Sequence, residues 1–218
     1  MEDGDLSTFE GQLKLLKKVF LWKPKHVWMA PECAPWCPWT RFNQMRGLSS
    51  FCRIQDNQER SREQLTFCSL VCKIQLDRGD HFHLENPGPS GMWHQNEMQE
   101  ICSSTKPAYF DQCRFGLKHP CLQEPMQKRT RVQTSSEEMF QSMDSRFCQH
   151  DHEHVPIAGN CSYKGQNIQV SRFAAFYPRV LAKKLAEVIM RPKHSHVVAP
   201  IFMIDQRSEE RRVGKECR

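Results

Sequence analysis

Apolar positions first recur at helical spacing. Leu13, Leu16, Val19 and Phe20 fall on one face after Ser7 and Glu10, whose spacing is that of a capping box, and Pro24 ends the run. The spacing predicts a helix there. Val27, Trp28, Met29 and Ala30 then form a short apolar run closed by Pro31, which reads as a buried strand. A second helical pattern over residues 57–76 puts Leu65, Cys68, Leu70, Cys72 and Leu76 inside, and Gly79 supplies its C-cap. His81, Phe82, His83 and Leu84 alternate like a strand and run into Glu85, Asn86 and Pro87. Beyond them the pattern predicts a short helix over 96–101, strands over 108–115 and 129–134, and a helix over 137–143. A histidine-rich loop over 148–161 follows, then a helix over 173–190 with Tyr177, Leu181, Leu185 and Val188 on its buried face. Strands alternating with helices give an α/β class with a mostly parallel sheet. In such sheets ligands sit at the carboxyl ends of strands. The loops after Ala30 and Leu84 both leave at that end, so chemistry is expected there.

Composition narrows the class. The chain has 218 residues, the size of one ordinary domain, and 39% hydrophobic residues suffice for a core. No apolar run approaches the roughly 18 residues of a membrane span, so no membrane partner is expected. The acidic amino terminus lacks the pattern of a signal peptide. Eleven cysteines, an odd number without an export signal, read as reduced thiols in a nuclear or cytoplasmic, that is intracellular, protein. A net charge of +6 permits a nucleic-acid partner. Residues 207–218, RSEERRVGKECR, have no apolar period and resemble translated adapter sequence.

Four groups of residues could carry chemistry. Cys33 lies in a proline-rich loop after a strand, placed as a nucleophile or as a structural or metal-bound thiol. Glu85 leaves a buried strand as a general acid, a hydrogen-bond anchor or a turn residue. Gln127, Arg129 and Arg131 alternate on an extended segment, so both guanidiniums point one way, toward a phosphate, a carboxylate or solvent. Cys148, His150, His152 and His154, with Cys161 beyond them, suit zinc or form a solvated polar loop.

Taken in order, these segments resemble the cytosine-C5 DNA methyltransferases, in the divergent form of phages and retrotransposon polyproteins. Gly4-Asp5-Leu6 resembles the family's Gly-Asp-Ile step. Pro31, Cys33 and the Trp36-Cys37 pair resemble its catalytic loop, and Leu84-Glu85-Asn86 its Glu-Asn-Val step. Gln127, Arg129 and Arg131 match its Gln-x-Arg-x-Arg spacing, and residues 177–186 resemble its late helix. The resemblance implies a Rossmann-like sheet that binds S-adenosylmethionine, with DNA as partner. By it, Cys33 adds to C6 of a flipped cytosine and Glu85 holds the N3 edge. Arg129 and Arg131 contact the flipped nucleotide or support the loop, and Asp5 meets the adenine of the cofactor. The family's first strand, its Gly-rich loop and its ribose-binding acid have no counterpart here, and Glu32 stands where the family has a second proline. The expectation is therefore an incomplete sheet in an N-terminally truncated domain, inactive or weakly active alone. Residues 1–134 would form the partial catalytic core, 135–165 a Cys/His-rich insert, 166–192 a core helix and 193–218 a disordered or artefactual tail. Two other readings stand beside it: a non-catalytic nucleic-acid-binding or structural module of a retroelement polyprotein, and a small zinc-binding protein.

Overall fold

A computed structural model of the chain describes residues 6–190 and 201–204. Helix α1 (Phe9–Trp22) starts where Thr8 is extended and its Oγ1 accepts the N–H of Gly11 at 3.1 Å. The cap is thus Thr8 rather than Ser7. The buried stripe is Gly11, Leu15 and Val19, spaced i, i+4, i+8, while Leu13 and Phe20 face outward. Strand β1 (His26–Ala30) follows, then α2 (Trp39–Gln44) and α3 (Leu48–Asp77). Helix α3 begins well before residue 57, because its first turns bury little besides Ile54 and so carry no apolar period. It ends as the sequence indicates, with Gly79 at φ 71° donating to Leu76 O at 2.9 Å.

Strand β2 (His81–Pro87), helix α4 (Asn96–Ser104) and strands β3 (Lys106–Asp111) and β4 (Arg129–Thr134) come next, then α5 (Glu137–Met143). A small hairpin of β5 (Asn160–Tyr163) and β6 (Gln166–Gln169) leads through α6 (Val170–Phe173) to α7 (Arg179–Ile189), and β7 (Ile201–Ile204) closes the series. The helix expected over 173–190 is broken. Pro178 lacks an N–H and disfavours helical backbone at Tyr177, so α7 restarts after it.

The main sheet has the order β3-β4-β2-β1-β7. β1 pairs in parallel with β2, Val27 opposite Phe82, and with β7. β4 runs antiparallel to both β2 and β3. The sheet is therefore mixed rather than mostly parallel in its pairings. A parallel neighbour needs a crossover, usually a helix, and the loop from β3 to β4 supplies none. Because side chains alternate across a strand, each face builds its own core. Val27, Met29, Phe82 and Leu84 pack under α1, α3 and α4 with Leu15, Val19, Leu65, Val71 and Ile101. Trp28, Phe110 and Val132 pack on the opposite face under α5 and α7 with Met139, Met143, Leu181 and Leu185. A third, smaller cluster of Leu117, Met126, Val170 and Ala174 lies between the β3–β4 loop and α6. Among the described residues no helix is long and apolar enough to cross a membrane.

Candidate functional site

The carboxyl ends of β1 and β2 build the first site. The chain leaves Ala30 into a loop pinned from the neighbouring strand, where Asn86 Nδ2 donates to Pro31 O at 2.9 Å. Cys33 begins a 3-10 turn, with Trp36 N donating to its carbonyl at 3.1 Å. From α3, Gln58 Nε2 donates to Pro35 O at 3.0 Å and braces the turn.

Glu85 lies on β2, 6% exposed, on the same face as His83. Its Oε2 accepts the hydroxyl of Tyr177 at 2.8 Å, and Trp28 Nε1 donates to Tyr177 Oη at 3.2 Å. An indole nitrogen can only donate, so this chain has one direction: Trp28 to Tyr177 to the Glu85 carboxylate. The other carboxylate oxygen, Oε1, is buried and has no hydrogen-bond partner. The pKa of Tyr177 is raised well above that of a free phenol, first by burial and then by the charge of Glu85.

The Cys33 residue is exposed, yet the groups around it act on its thiol. Desolvation by the surrounding protein raises its pKa. Lys128 opposes that shift, while Glu85 and Cys37 add to it. Lys128 is itself held by Ala174 O, 3.1 Å from its Nζ. Glu85 and Tyr177 are in contact, and Lys128 and Glu85 lie within electrostatic reach of Cys33. The Cys33 thiol is not activated by lowering of its pKa.

Arg129 and Arg131 are not brought to Glu85. In the β2–β4 ladder Glu85 pairs with Val132 on the α7 face, whereas Arg131 pairs with Asn86 and points the other way. Arg131 stacks on Trp93 at 4.2 Å and donates through Nε to Gln133 Oε1 at 3.1 Å. Arg129 grips Asp111 with Nε at 2.6 Å and Nη2 at 2.9 Å and lies over the Phe147 ring. Asp5, expected at the cofactor adenine, lies outside the described residues, as does the tail 207–218.

The histidine-rich loop divides. Segment 146–148 lies beside the end of β3, where Asp111 N donates to Arg146 O at 3.1 Å and Asp111 Oδ2 accepts Cys148 N at 2.9 Å. This carries Cys148 to Cys113, in the turn after β3. The ligand atoms of Cys113, Cys148, His152 and His154 all lie within 4.8 Å of one another. Cys148 Sγ is 3.5 Å from His152 Nε2 and 3.4 Å from His154 Nε2. Tetrahedral zinc with ordinary bond lengths separates sulfur from nitrogen by about 3.6 Å. Asp151 Oδ1 sits 2.8 Å from His152 Nδ1, the second-sphere contact that fixes a ligating ring with Nε2 free. His150 N donates to Cys148 Sγ at 3.3 Å. Without a cation, burial and the Cys148 thiol push Cys113 up to about 12.

Two expected ligands therefore fall away from this group. His150 turns back at φ 55° and meets it only through its backbone and an edge-on ring contact with His154. Cys161 instead joins His119 and Cys121 in a separate group. Cys113, Asp151, Lys128 and Tyr177 were not anticipated as site residues. Cys113 is remote in sequence from Cys148, and only the return of the chain beside β3 joins them.

At the opposite end of the sheet, His26 Nδ1 lies 3.0 Å from His83 Nε2, and His83 Nδ1 lies 2.9 Å from Thr134 Oγ1. Burial, then the neighbouring imidazoles, hold both rings neutral, with His26 lowered to about 4. Comparison of the chain with protein-family models, with curated proteins and with solved structures finds no match in any of the three.

Proposed function

We propose that this chain carries the base-holding core of a cytosine-C5 DNA methyltransferase-like domain, with Cys33 as nucleophile and Glu85 as the group that receives the base. One observation carries the reading: the buried Oε1 of Glu85 has no hydrogen-bond partner, and it lies at the carboxyl end of the strand paired with the one that leads into the Cys33 loop. A buried acceptor left without a donor costs about 1–3 kcal/mol, a cost that a ligand N–H at that position would remove. The N–H edge of a cytosine protonated at N3 is such a donor. Tyr177 fixes the carboxylate, and Lys128 is the cation that favours the Cys33 thiolate. The net charge of +6 suits a DNA partner.

The cavity under the start of the Cys33 loop is too small to hold S-adenosylmethionine. The cavity beside Met29, Ala30 and Pro31 holds about 10 Å³, the room of roughly one water. That mismatch, with the raised pKa of Cys33, favours the second reading, a non-catalytic nucleic-acid-binding module. We further propose that Cys113, Cys148, His152 and His154 hold a structural zinc ion, which would tie the 148–154 loop to the end of β3.

Hydrogen exchange at cytosine C5 tests the nucleophile without any cofactor. Addition of the Cys33 thiolate to C6 makes C5 basic, and C5 takes a deuteron from D₂O. Loss of the original proton and departure of the thiolate return cytosine labelled at C5. Exchange in a DNA oligonucleotide that Cys33→Ser and Glu85→Gln abolish supports the enzyme reading. DNA binding without exchange leaves the binding module, and neither result discards both.

A further inference from the structure

The lobe formed by the β3–β4 loop, residues 146–158 and the β5–β6 hairpin has little to hold it. Its cluster of Leu117, Met126, Val170 and Ala174, flanked by Val155, Ile157 and Phe173, covers three irregular segments and two short strands. Cores this small are usually supplemented by disulfides or metals. The Cys113 group ties the turn after β3 to residues 148–154, and none of its four ligands lies on the hairpin.

His119, Cys121 and Cys161 lie where that second tie is missing. His119 is buried in a tight turn, in which His119 N donates to Glu124 O at 2.8 Å and Gln123 N to His119 O at 2.9 Å. Cys121 follows in the same turn, and Cys161 is on β5. The three ligand atoms lie within 4.8 Å of one another, and both cysteines are free thiols. Cys121 Sγ also lies 3.2 Å from Ser162 O, so the turn already touches the hairpin through sulfur. The neighbouring Cys121 thiol, with some desolvation, pushes Cys161 up to about 11 when no cation is bound.

We propose that His119, Cys121 and Cys161 form a second metal site, independent of the Cys113 group, that takes a thiolate-seeking divalent cation of the zinc class and clamps the β5–β6 hairpin to the 119–124 turn. Binding releases one proton from each thiol to solvent and forms two sulfur–metal bonds. The imidazole adds a nitrogen lone pair. His119 Nδ1 already holds the N–H groups of Cys121 and Leu122 at 3.2 and 3.1 Å, so a cation competes with them for the ring. The thiolates therefore carry most of the affinity. Three protein ligands leave one tetrahedral position open. Cys121 is exposed, so water reaches that position and a chelator strips this site before the more enclosed Cys113 group.

Metal counting on the full chain, purified with zinc under a thiol reductant, tests this. The expected result is two zinc per chain, falling to one in Cys121→Ser and in Cys161→Ser. Cys148→Ser keeps the zinc held by Cys121 and Cys161. Cobalt(II) titration of the unmutated chain is the second measurement, needed if a variant does not fold. Sulfur-to-cobalt absorption should then grow over two equivalents, and the second should be withdrawn first by a chelator. One zinc that Cys121→Ser retains overturns the proposal. So does a wild-type chain lighter by two hydrogens, with Cys121 and Cys161 joined as a disulfide and no second metal. One zinc lost in Cys121→Ser but kept in Cys148→Ser upholds this site and removes the zinc reading of the Cys113 group.

Discussion

The one-way chain from Trp28 through Tyr177 to Glu85 can be broken by a single oxygen. Tyr177→Phe keeps the ring and removes the hydroxyl that donates to Glu85 Oε2 and accepts from Trp28 Nε1. Glu85 is 6% exposed and Trp28 fully buried, so water replaces neither contact. A hydrogen bond to a charged group contributes about 1.5–3 kcal/mol, and a stranded buried donor costs a further 1–3 kcal/mol or so. The expected loss is about 3–5 kcal/mol of unfolding free energy, a large share of an ordinary domain's stability. Urea unfolding followed by tryptophan fluorescence measures it. Glu85→Gln makes the contrast: the amide oxygen still accepts from Tyr177 and no charge is buried, so its stability stays within about 1 kcal/mol of wild type. Removing both partners in Tyr177→Phe/Glu85→Leu should cost less than the two single changes together, with a coupling of about 2 kcal/mol. A loss below about 1 kcal/mol for Tyr177→Phe, or additive single changes, would mean that Glu85 is solvated. Its unpartnered oxygen would then carry no functional reading.

Three further outcomes follow from named contacts. Asp151→Asn weakens the grip on His152 Nδ1 and should lower zinc affinity at the Cys113 group by about 10- to 100-fold, measured by chelator competition; unchanged affinity would remove the second-sphere role. The His26 and His83 rings are neutral in the folded chain and take up protons on unfolding, so stability is whole above about pH 6.5 and is lost as pH falls toward about 4. The groups facing the pair are His81, Asp80, Trp28 and Thr134, and for His26 alone, allowing for the part of it that water reaches, the loss is about 1.5–3 kcal/mol, with His83 adding in the same direction. The difference between wild type and His26→Gln across that window isolates the His26 contribution from His83 and the pH-sensitive metal ligands, and two parallel curves would refute it. Iodoacetamide labelling of Cys33, read by peptide mass, should rise with pH to beyond the ordinary thiol range and become slower at every pH in Lys128→Met; a plateau near neutrality would contradict the raised pKa.

Much of the fold is legible in local pattern. The strand over 129–134 and the helix over 137–143 stand as read, because β-branched alternation and the Ser136 cap are decided by neighbours in sequence. The strand at His81 and the stop at Gly79 are local in the same way. What failed locally was what long-range packing decides. Leu70 is solvent-facing within a helix whose buried face is set by the sheet beneath it, and Leu13 and Phe20 turn out from α1 for the same reason.

The candidate sites show the same division. Residue type alone nominates Cys33, Glu85 and the Cys148 loop, since thiols, buried carboxylates and imidazoles are the groups that bond bases and metals. Which of them act together is a property of register. A strand has a period of two, so antiparallel pairing with β4 puts Val132 beside Glu85 and sends Arg129 and Arg131 to the far face. The bridge between Phe110 and Arg146 sets Cys148 against Cys113, and the hairpin carries Cys161 away to His119 and Cys121. Residue types and local spacing nominate the candidate groups and most of the elements that present them. The tertiary structure alone decided the partners, because contacts between residues distant along the chain depend on the pairing and direction of strands, which no local spacing records.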